Sequence, residues 1–81
     1  MIDAGQMKAA RSLLGWNQTT LAERSGLSLE TIKRMESKGT SFSTVRNVQA
    51  VEDALAAAGC TFLPDDGKGR GVRAKAPEGD E

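Results

Sequence analysis

The residues best suited to chemistry lie close together in the first half of the chain. Glu30 and Arg34 are four positions apart, so on a helix they share one face, with Leu29 and Thr31 beside them. Arginine donates two parallel hydrogen bonds to guanine, glutamate accepts one from cytosine, and a leucine or threonine methyl group contacts the methyl of thymine. These four residue types are suited to contacting base edges in double-stranded DNA.

The same spacing also has an ordinary explanation. Glutamate and arginine at i and i+4 form a surface ion pair on any solvated helix, with a stabilisation of about 0.2–0.5 kcal/mol. Taken alone, Glu30 and Arg34 fit this explanation better than base contact. The choice between the two interpretations depends on the elements that position this helix.

Residues 18–36 predict two short helices joined by a tight turn. Apolar residues recur at helical spacing on both sides of Gly26, which supplies the backbone freedom that the turn requires. The inward-facing residues of the two helices are Leu21, Ala22, Ile32 and Met35. Ser28 is placed to cap the second helix through its hydroxyl. The pattern is that of a helix-turn-helix.

This motif, QTTLAERSGLSLETIKRME, resembles the Cro and phage-repressor class of helix-turn-helix regulators, the XRE family, and in particular its small single-domain bacterial members. The resemblance extends from about Gln6 to about Val72. It implies an all-α, lambda-repressor-like domain of about four helices. It also implies that the helix formed by residues 29–36 enters the major groove, where the N-terminal part of a recognition helix reaches base edges.

The resemblance and the helix geometry together predict two groups of DNA contacts. The base-reading residues are Leu29, Glu30, Thr31 and Arg34. The phosphate-binding residues are Gln18, Lys33, Lys38, Thr40, Ser41 and Arg46. Gln18 begins a helix whose first N–H groups attract an anion, and in relatives the loop after the recognition helix lies along the DNA backbone. An ordinary polar loop has a similar composition.

Arg11 lies beside the inward side of the first predicted helix, a place where arginine is uncommon. The resemblance implies that it pairs with Glu36, at the end of the recognition helix. Such a pair would hold these helices together, and loss of one partner would cost about 3 kcal/mol. The alternative is a solvated arginine.

Three further elements complete the predicted fold. Asp3 and Gln6 form a capping-box pattern that starts a helix over about residues 4–14. A long helix follows from residue 43 or 44 to residue 58, with a core stripe of Val45, Val48, Val51 and Leu55. Beyond it, residues 60–63 and 72–74 predict a β-hairpin, lying on this helix, where the commonest family members have a fifth helix. We therefore expect a DNA-binding domain over residues 1–59, a hairpin packed on it over 60–74 and a disordered tail over 75–81.

Composition narrows the function further. The 81 residues have no net charge, but residues 1–46 hold seven Lys/Arg against four Asp/Glu, and residues 47–81 hold four against seven. This polarity is compatible with a basic DNA-facing side. The chain contains one cysteine and no histidine, so no disulfide framework, metal site or catalytic constellation is expected. No segment has the pattern of a membrane span or a signal peptide.

The sequence therefore predicts a cytoplasmic, sequence-specific transcriptional regulator without enzymatic activity, metal or cofactor. We expect a repressor that binds a roughly palindromic operator as a homodimer, joined through helix four or the hairpin, with recognition helices about 34 Å apart. The alternative is an antitoxin-like module that keeps the helix-turn-helix fold but binds a protein partner.

Overall fold

The computed structural model describes residues 1–75, which form four α-helices followed by a two-stranded antiparallel hairpin. The elements are α1 Ala4–Leu13, α2 Gln18–Ser25, α3 Leu29–Lys38, a 3₁₀ turn Thr40–Phe42, α4 Val45–Ala57, β1 Cys60–Leu63 and β2 Gly71–Ala74. The predicted helical domain with a C-terminal hairpin is confirmed. The prediction of a disordered tail over 75–81 falls, apart from Lys75, outside the described residues.

Helix α1 starts at the capping box that the sequence predicts. Asp3 Oδ1 accepts a hydrogen bond of 2.7 Å from the Gln6 backbone N–H, and Gln6 Oε1 accepts one of 3.0 Å from the Asp3 backbone N–H. Ile2 and Met7 are both buried on the core side of this cap. The helix ends at Leu13, one residue earlier than predicted. The N-terminal segment is thereby fixed against the body of the domain.

The turn between α2 and α3 depends on a single backbone conformation. Gly26 has a φ of +74°, in the left-handed region where any residue with a Cβ atom is strained by about 1–2 kcal/mol. Asn17 caps α2 by accepting from the Thr20 N–H, and Ser28 caps α3 by accepting from the Thr31 N–H. Local sequence therefore sets the starts of both helices and the angle between them.

The core lies where the four helices and β1 meet. Its buried apolar members are Ile2, Met7, Ala10, Leu21, Ala22, Ile32, Met35, Val48, Val51, Leu55 and Cys60. One predicted core residue is wrong: Val45 is 72% exposed. Thr44 is the N-cap of α4, so Val45 is the first helical residue, and the buried stripe begins almost one turn later at Val48.

The hairpin packs on two helices. The sequence had indicated packing on helix four alone. β1 contacts α4 and β2 contacts α1. Its inward pairs are Cys60 with Ala74 and Phe62 with Val72. The Gln6 side chain joins the hairpin to α1, because its Nε2 donates to the carbonyl oxygens of Gly71 at 2.9 Å and Leu63 at 3.4 Å. α1 is therefore the common support of the hairpin and of α3.

Candidate nucleic-acid interface

Helix α3 has one buried side and one charged, exposed side. Ile32, Met35 and Glu36 are buried, whereas Glu30, Lys33 and Arg34 are exposed. Among the ion pairs within residues 1–75, none joins Glu30 to Arg34. The surface ion pair that would explain their spacing in an ordinary way is therefore not formed in this structure. Both charged groups point to solvent and can meet a ligand.

The exposed side of α3 carries a shallow depression lined mostly by charged groups. Its lining residues are Glu30, Lys33, Arg34, Ser37 and Lys38. Three of these five residues are positive and one is negative, so the local field attracts an anion. The depression is formed by one helix alone. It suits insertion of the helix into a groove better than enclosure of a small molecule.

Two of the predicted base-reading residues, Leu29 and Thr31, are only partly exposed. Leu29 is half-buried and packs against the core, and Thr31 is half-buried as well. The Thr31 hydroxyl lies 2.8 Å from Ser28 Oγ, so the polar atom of Thr31 is already hydrogen-bonded within the cap. The leucine side chain and the threonine methyl can contact a thymine methyl, while the Thr31 hydroxyl is shared with the cap.

A buried carboxylate fixes α3 from behind. Glu36 accepts hydrogen bonds from Arg11 Nε at 2.8 Å and Arg11 Nη2 at 3.0 Å, so the two side chains form a bidentate pair. Arg11 Nη1 also donates to the Trp16 carbonyl at 3.1 Å. The Glu36 side chain is 4% exposed and that of Arg11 is 22% exposed. This pair joins the end of α1 to the end of α3.

Gln18 is drawn into the same cluster. Its Nε2 donates to Glu36 Oε1 at 3.0 Å, which uses one of the two N–H groups of the amide. Gln18 is half-buried, at the first position of α2, where backbone N–H groups lack partners within the helix. Glu36 thus holds Gln18 in position, while the second amide N–H and the helix end remain suited to a phosphate oxygen.

The remaining predicted phosphate ligands fall into two groups. Lys33, Lys38, Ser41 and Arg46 are all exposed, on α3, the 3₁₀ turn and the first turn of α4. Thr40 differs from them, because it is 5% exposed and its hydroxyl donates to the Ile2 carbonyl at 2.8 Å. The hydroxyl of Thr40 therefore ties the loop after α3 to the N-terminus instead of facing solvent.

The helix-turn-helix geometry agrees with the comparison with protein families. The family model described as Helix-turn-helix matches residues 7–56, which covers α1 to nearly the end of α4. The chain belongs to the XRE family. This lambda-repressor-like family consists of DNA-binding regulators rather than enzymes. Comparison with curated proteins and with solved structures found no match.

Two apolar residues of this XRE-family domain stand out next to the interface. Phe42 is 80% exposed and Val45 is 72% exposed, on the segment that directly follows α3. Neither exposure was predicted, because helical periodicity places Val45 in the core and no sequence pattern involves Phe42. A phenylalanine in a polar loop between two helices was the available signal.

Two ionisable side chains with shifted pKa values, Cys60 and Asp65, lie away from the recognition helix. Burial raises the pKa of the Cys60 thiol above its ordinary value, so this cysteine stays protonated and unreactive. Hydrogen bonds from the backbone N–H groups of Gly67 and Gly69 lower the pKa of Asp65, in the hairpin loop. Neither residue adds chemistry to the interface.

Residues 1–75 contain no group of three or more His, Cys, Asp or Glu side chains that could hold a metal ion. None of the described helices combines the length and apolar character needed to cross a bilayer.

Proposed function

We propose that this XRE-family protein is a sequence-specific transcriptional repressor that inserts α3 into the major groove of its operator. The observation that carries the proposal is the division of α3 into an anchored side and a presented side. Glu36 is fixed by Arg11 at 2.8 Å, while Glu30 and Arg34 are exposed on the outer surface. A charged helix face held rigidly from behind loses little conformational freedom when it docks, which favours affinity.

Four residues read the bases in this proposal. Arg34 donates a bidentate pair to a guanine, worth about 1–3 kcal/mol of discrimination, and Glu30 accepts from a cytosine. Leu29 and Thr31 contact thymine methyl groups through the leucine side chain and the threonine methyl. Sequence preference then comes chiefly from the two charged residues.

The phosphate contacts surround this reading surface. Gln18 and the start of α2 bind one phosphate group. Other phosphate groups are bound by four exposed residues on α3 and the segment that follows it, which are Lys33, Lys38, Ser41 and Arg46. Thr40 does not bind phosphate through its hydroxyl in this proposal. Instead, that hydroxyl holds the loop after α3 by donating to the Ile2 carbonyl.

We further propose that two copies bind together on a roughly palindromic operator. A helix-turn-helix placed in two successive major grooves on one side of the duplex requires centres about 34 Å apart. The domain measures 37 × 33 × 18 Å, so two copies fit at that spacing when one of the two shorter dimensions runs along the duplex. Repression follows if the occupied operator overlaps a promoter, because the bound pair excludes polymerase.

The first test is selection from a randomised pool of DNA duplexes at moderate salt. The proposal predicts enrichment of an inverted repeat with half-sites about ten base pairs apart. If no sequence is enriched and binding is weak and strongly salt-dependent, the proposal fails. A protein-binding, antitoxin-like role then becomes the better explanation.

The second test separates base contacts from phosphate contacts. Arg34→Ala should cost about 1–3 kcal/mol on the selected site and little on random DNA, whereas Lys38→Ala should weaken both and reduce the salt slope by about 1. Arg73→Ala and Lys8→Ala are matched controls, since both residues are exposed on elements outside the helix-turn-helix. Equal losses for Arg34→Ala on both DNAs would contradict its assignment to base reading.

A further inference from the structure

The outer side of β2 is an open strand edge. The Lys75 N–H donates to the Gly59 carbonyl at 2.9 Å, and hydrogen-bonded pairs alternate along an antiparallel ladder. The register therefore directs the main-chain N–H and C=O groups of Val72 and Ala74 away from β1. No hydrogen bond among residues 1–75 uses these four groups. An edge of this kind is a template for pairing with another extended segment.

A groove runs between this edge and α1. Gly5 and Ala9 line it on the helix, and Gly71 and Val72 line it on the strand. Gly5 and Ala9 are four positions apart on one face of α1, and both are exposed. Because a hydrogen atom and a methyl group stand where longer side chains would project, the groove has room for a further chain beside β2.

The helix and the strand run side by side along this groove. Gln6 Nε2 donates to the Gly71 carbonyl at 2.9 Å near one end, and Cys60 Sγ donates to the Ala10 carbonyl at 3.9 Å toward the other. Cys60 is opposite Ala74 in the ladder, so α1 and β2 advance in the same direction. Four strand residues and two helical turns each span about 11–13 Å. The groove therefore accommodates an extended segment of about four residues.

The charged groups around the groove favour an acidic occupant. Lys8, Arg73 and Lys75 are exposed, and each is the chain neighbour of a residue of the groove or its edge. None of the three has an ion-pair partner in the described part of the chain. The carboxylates of Asp3 and Asp65 also line the groove, but both already accept main-chain N–H hydrogen bonds. The groups left to attract a ligand are positive.

The same charges argue against a second copy of this chain as the occupant. Two β2 edges paired with each other would bring the Arg73 and Lys75 side chains of both copies together, and like charges across a strand pair are destabilising. The chain's own residues 76–81 contain three acidic side chains, but also Pro77 and Gly79, which are unfavourable in strands. An extended, acidic segment of another protein suits both the edge and its charges.

We propose that the groove between α1 and β2 binds an extended, acidic segment of a partner protein, which joins the hairpin as a third strand. Main-chain hydrogen bonds to Val72 and Ala74 hold the segment, and its carboxylates contact Lys8 and Arg73. None of the groove-lining residues is among the proposed DNA contacts, so the partner and the operator use different residues. This inference goes beyond the proposed function and does not depend on it.

The experiment titrates the full chain, labelled with nitrogen-15, with a synthetic eight-residue peptide that alternates valine and glutamate. Nuclear magnetic resonance follows the backbone amide signals in the absence of DNA. A second peptide carries lysine in place of glutamate. A third carries proline in place of valine, which keeps the acidic groups but removes half of the N–H donors.

Two protein variants test the location. Ala9→Glu places a bulky, negative side chain in the groove, and Ala57→Glu makes the same change at an exposed position of α4. Circular dichroism verifies that both variants are folded. Sedimentation of the unaltered protein and of Ala9→Glu measures self-association.

The acidic valine peptide should shift the amide signals of Ala9, Val72 and Ala74. Its dissociation constant should be on the order of 1 mM, the value expected for four main-chain hydrogen bonds of ordinary strength. The lysine peptide, the proline peptide and the Ala9→Glu substitution should each weaken binding by about tenfold or more. Ala57→Glu should bind the acidic valine peptide like the unaltered protein.

Four results would overturn the inference. Unchanged signals of Val72 and Ala74 at millimolar peptide would show that the edge does not pair. Equal binding of the proline peptide would show attraction by charge without strand pairing, and equal affinities of Ala9→Glu and Ala57→Glu would place the peptide outside the groove. Self-association that Ala9→Glu abolishes would make a second copy the occupant. Because the titration contains no DNA, each of these results leaves the proposed function intact.

Discussion

The ion pair between Arg11 and Glu36 provides a sharp test of the energetics. Arg11→Met and Glu36→Met each remove one charge and keep an unbranched apolar side chain; methionine is close to glutamate in length and shorter than arginine. Breaking a buried pair by removing one partner costs about 3–5 kcal/mol, because the other charge is left uncompensated. A domain of this length has a total stability of roughly 4–12 kcal/mol, so either substitution removes a large fraction of it.

The two single variants should not be equal. Arg11→Met leaves the Glu36 carboxylate at 4% side-chain exposure, with Gln18 as its remaining partner. Glu36→Met leaves the Arg11 guanidinium at 22% exposure, still bonded to the Trp16 carbonyl and able to reach water. We expect Arg11→Met to lie near 5 kcal/mol and Glu36→Met near 3 kcal/mol. The double variant should recover to within about 1 kcal/mol of the unaltered protein, because no buried charge remains.

The assay is urea unfolding of the four proteins, followed by far-ultraviolet circular dichroism. Arg70→Met is the matched control, because the Arg70–Asp3 pair is longer, at 3.6 Å, and about half exposed on both sides. Removing that exposed pair should cost no more than about 1 kcal/mol. Additive losses in the double variant, or equal losses for Arg11→Met and Arg70→Met, would refute the assignment of a buried, coupled pair.

Three further predictions concern the hairpin and its support. Gln6→Ala should destabilise the domain by about 2–4 kcal/mol, because it removes half of the capping box and leaves two carbonyls without their donor; denaturant unfolding measures this, and a loss under 1 kcal/mol would contradict it. Cys60 should resist alkylation at pH 8 until the protein unfolds, since burial raises its pKa; rapid labelling of the native protein would show otherwise. The pKa of Asp65 is lowered from its ordinary value of 3.8, so the stabilisation from its hydrogen bonds is present at pH values above 3.8 and is lost as the pH falls through the folded pKa. In nuclear magnetic resonance, the amide signals of Gly67 and Gly69 should titrate with a midpoint below pH 3.8. A midpoint at or above that pH would contradict the bonding.

The features that the sequence predicted well are local. The capping box at Asp3, the turn at Gly26 and the cap at Ser28 each depend on residues within three or four positions, so type and spacing suffice to identify them. The buried stripe of α4 was also predicted, except at its first residue. Val45 fits the helical period but is the first residue of the helix, and periodicity carries no information on how far the core extends along a helix axis.

The features that residue type and spacing did not predict are long-range polar contacts; the Arg11–Glu36 pair was expected only from the family resemblance. The hydroxyl of Thr40 bonds to a carbonyl 38 residues away, and the amide of Gln6 bonds to carbonyls 57 and 65 residues away. Threonine and glutamine are compatible with either surface or interior positions, so their types give no sign of the partner. Gln18 is a similar case, because its bond to Glu36 depends on how α2 crosses the end of α3.

The attachment of the hairpin through Gln6 has a consequence for how this protein can vary. Both acceptors of the Gln6 amide are main-chain carbonyls, at Leu63 and Gly71, so the bond depends on the path of the backbone and not on the side chains there. Mutations at these two positions can therefore accumulate without loosening the hairpin, as long as the strand register is kept. An insertion or deletion in either strand has the opposite effect, because it shifts the carbonyls and detaches the hairpin from the first helix.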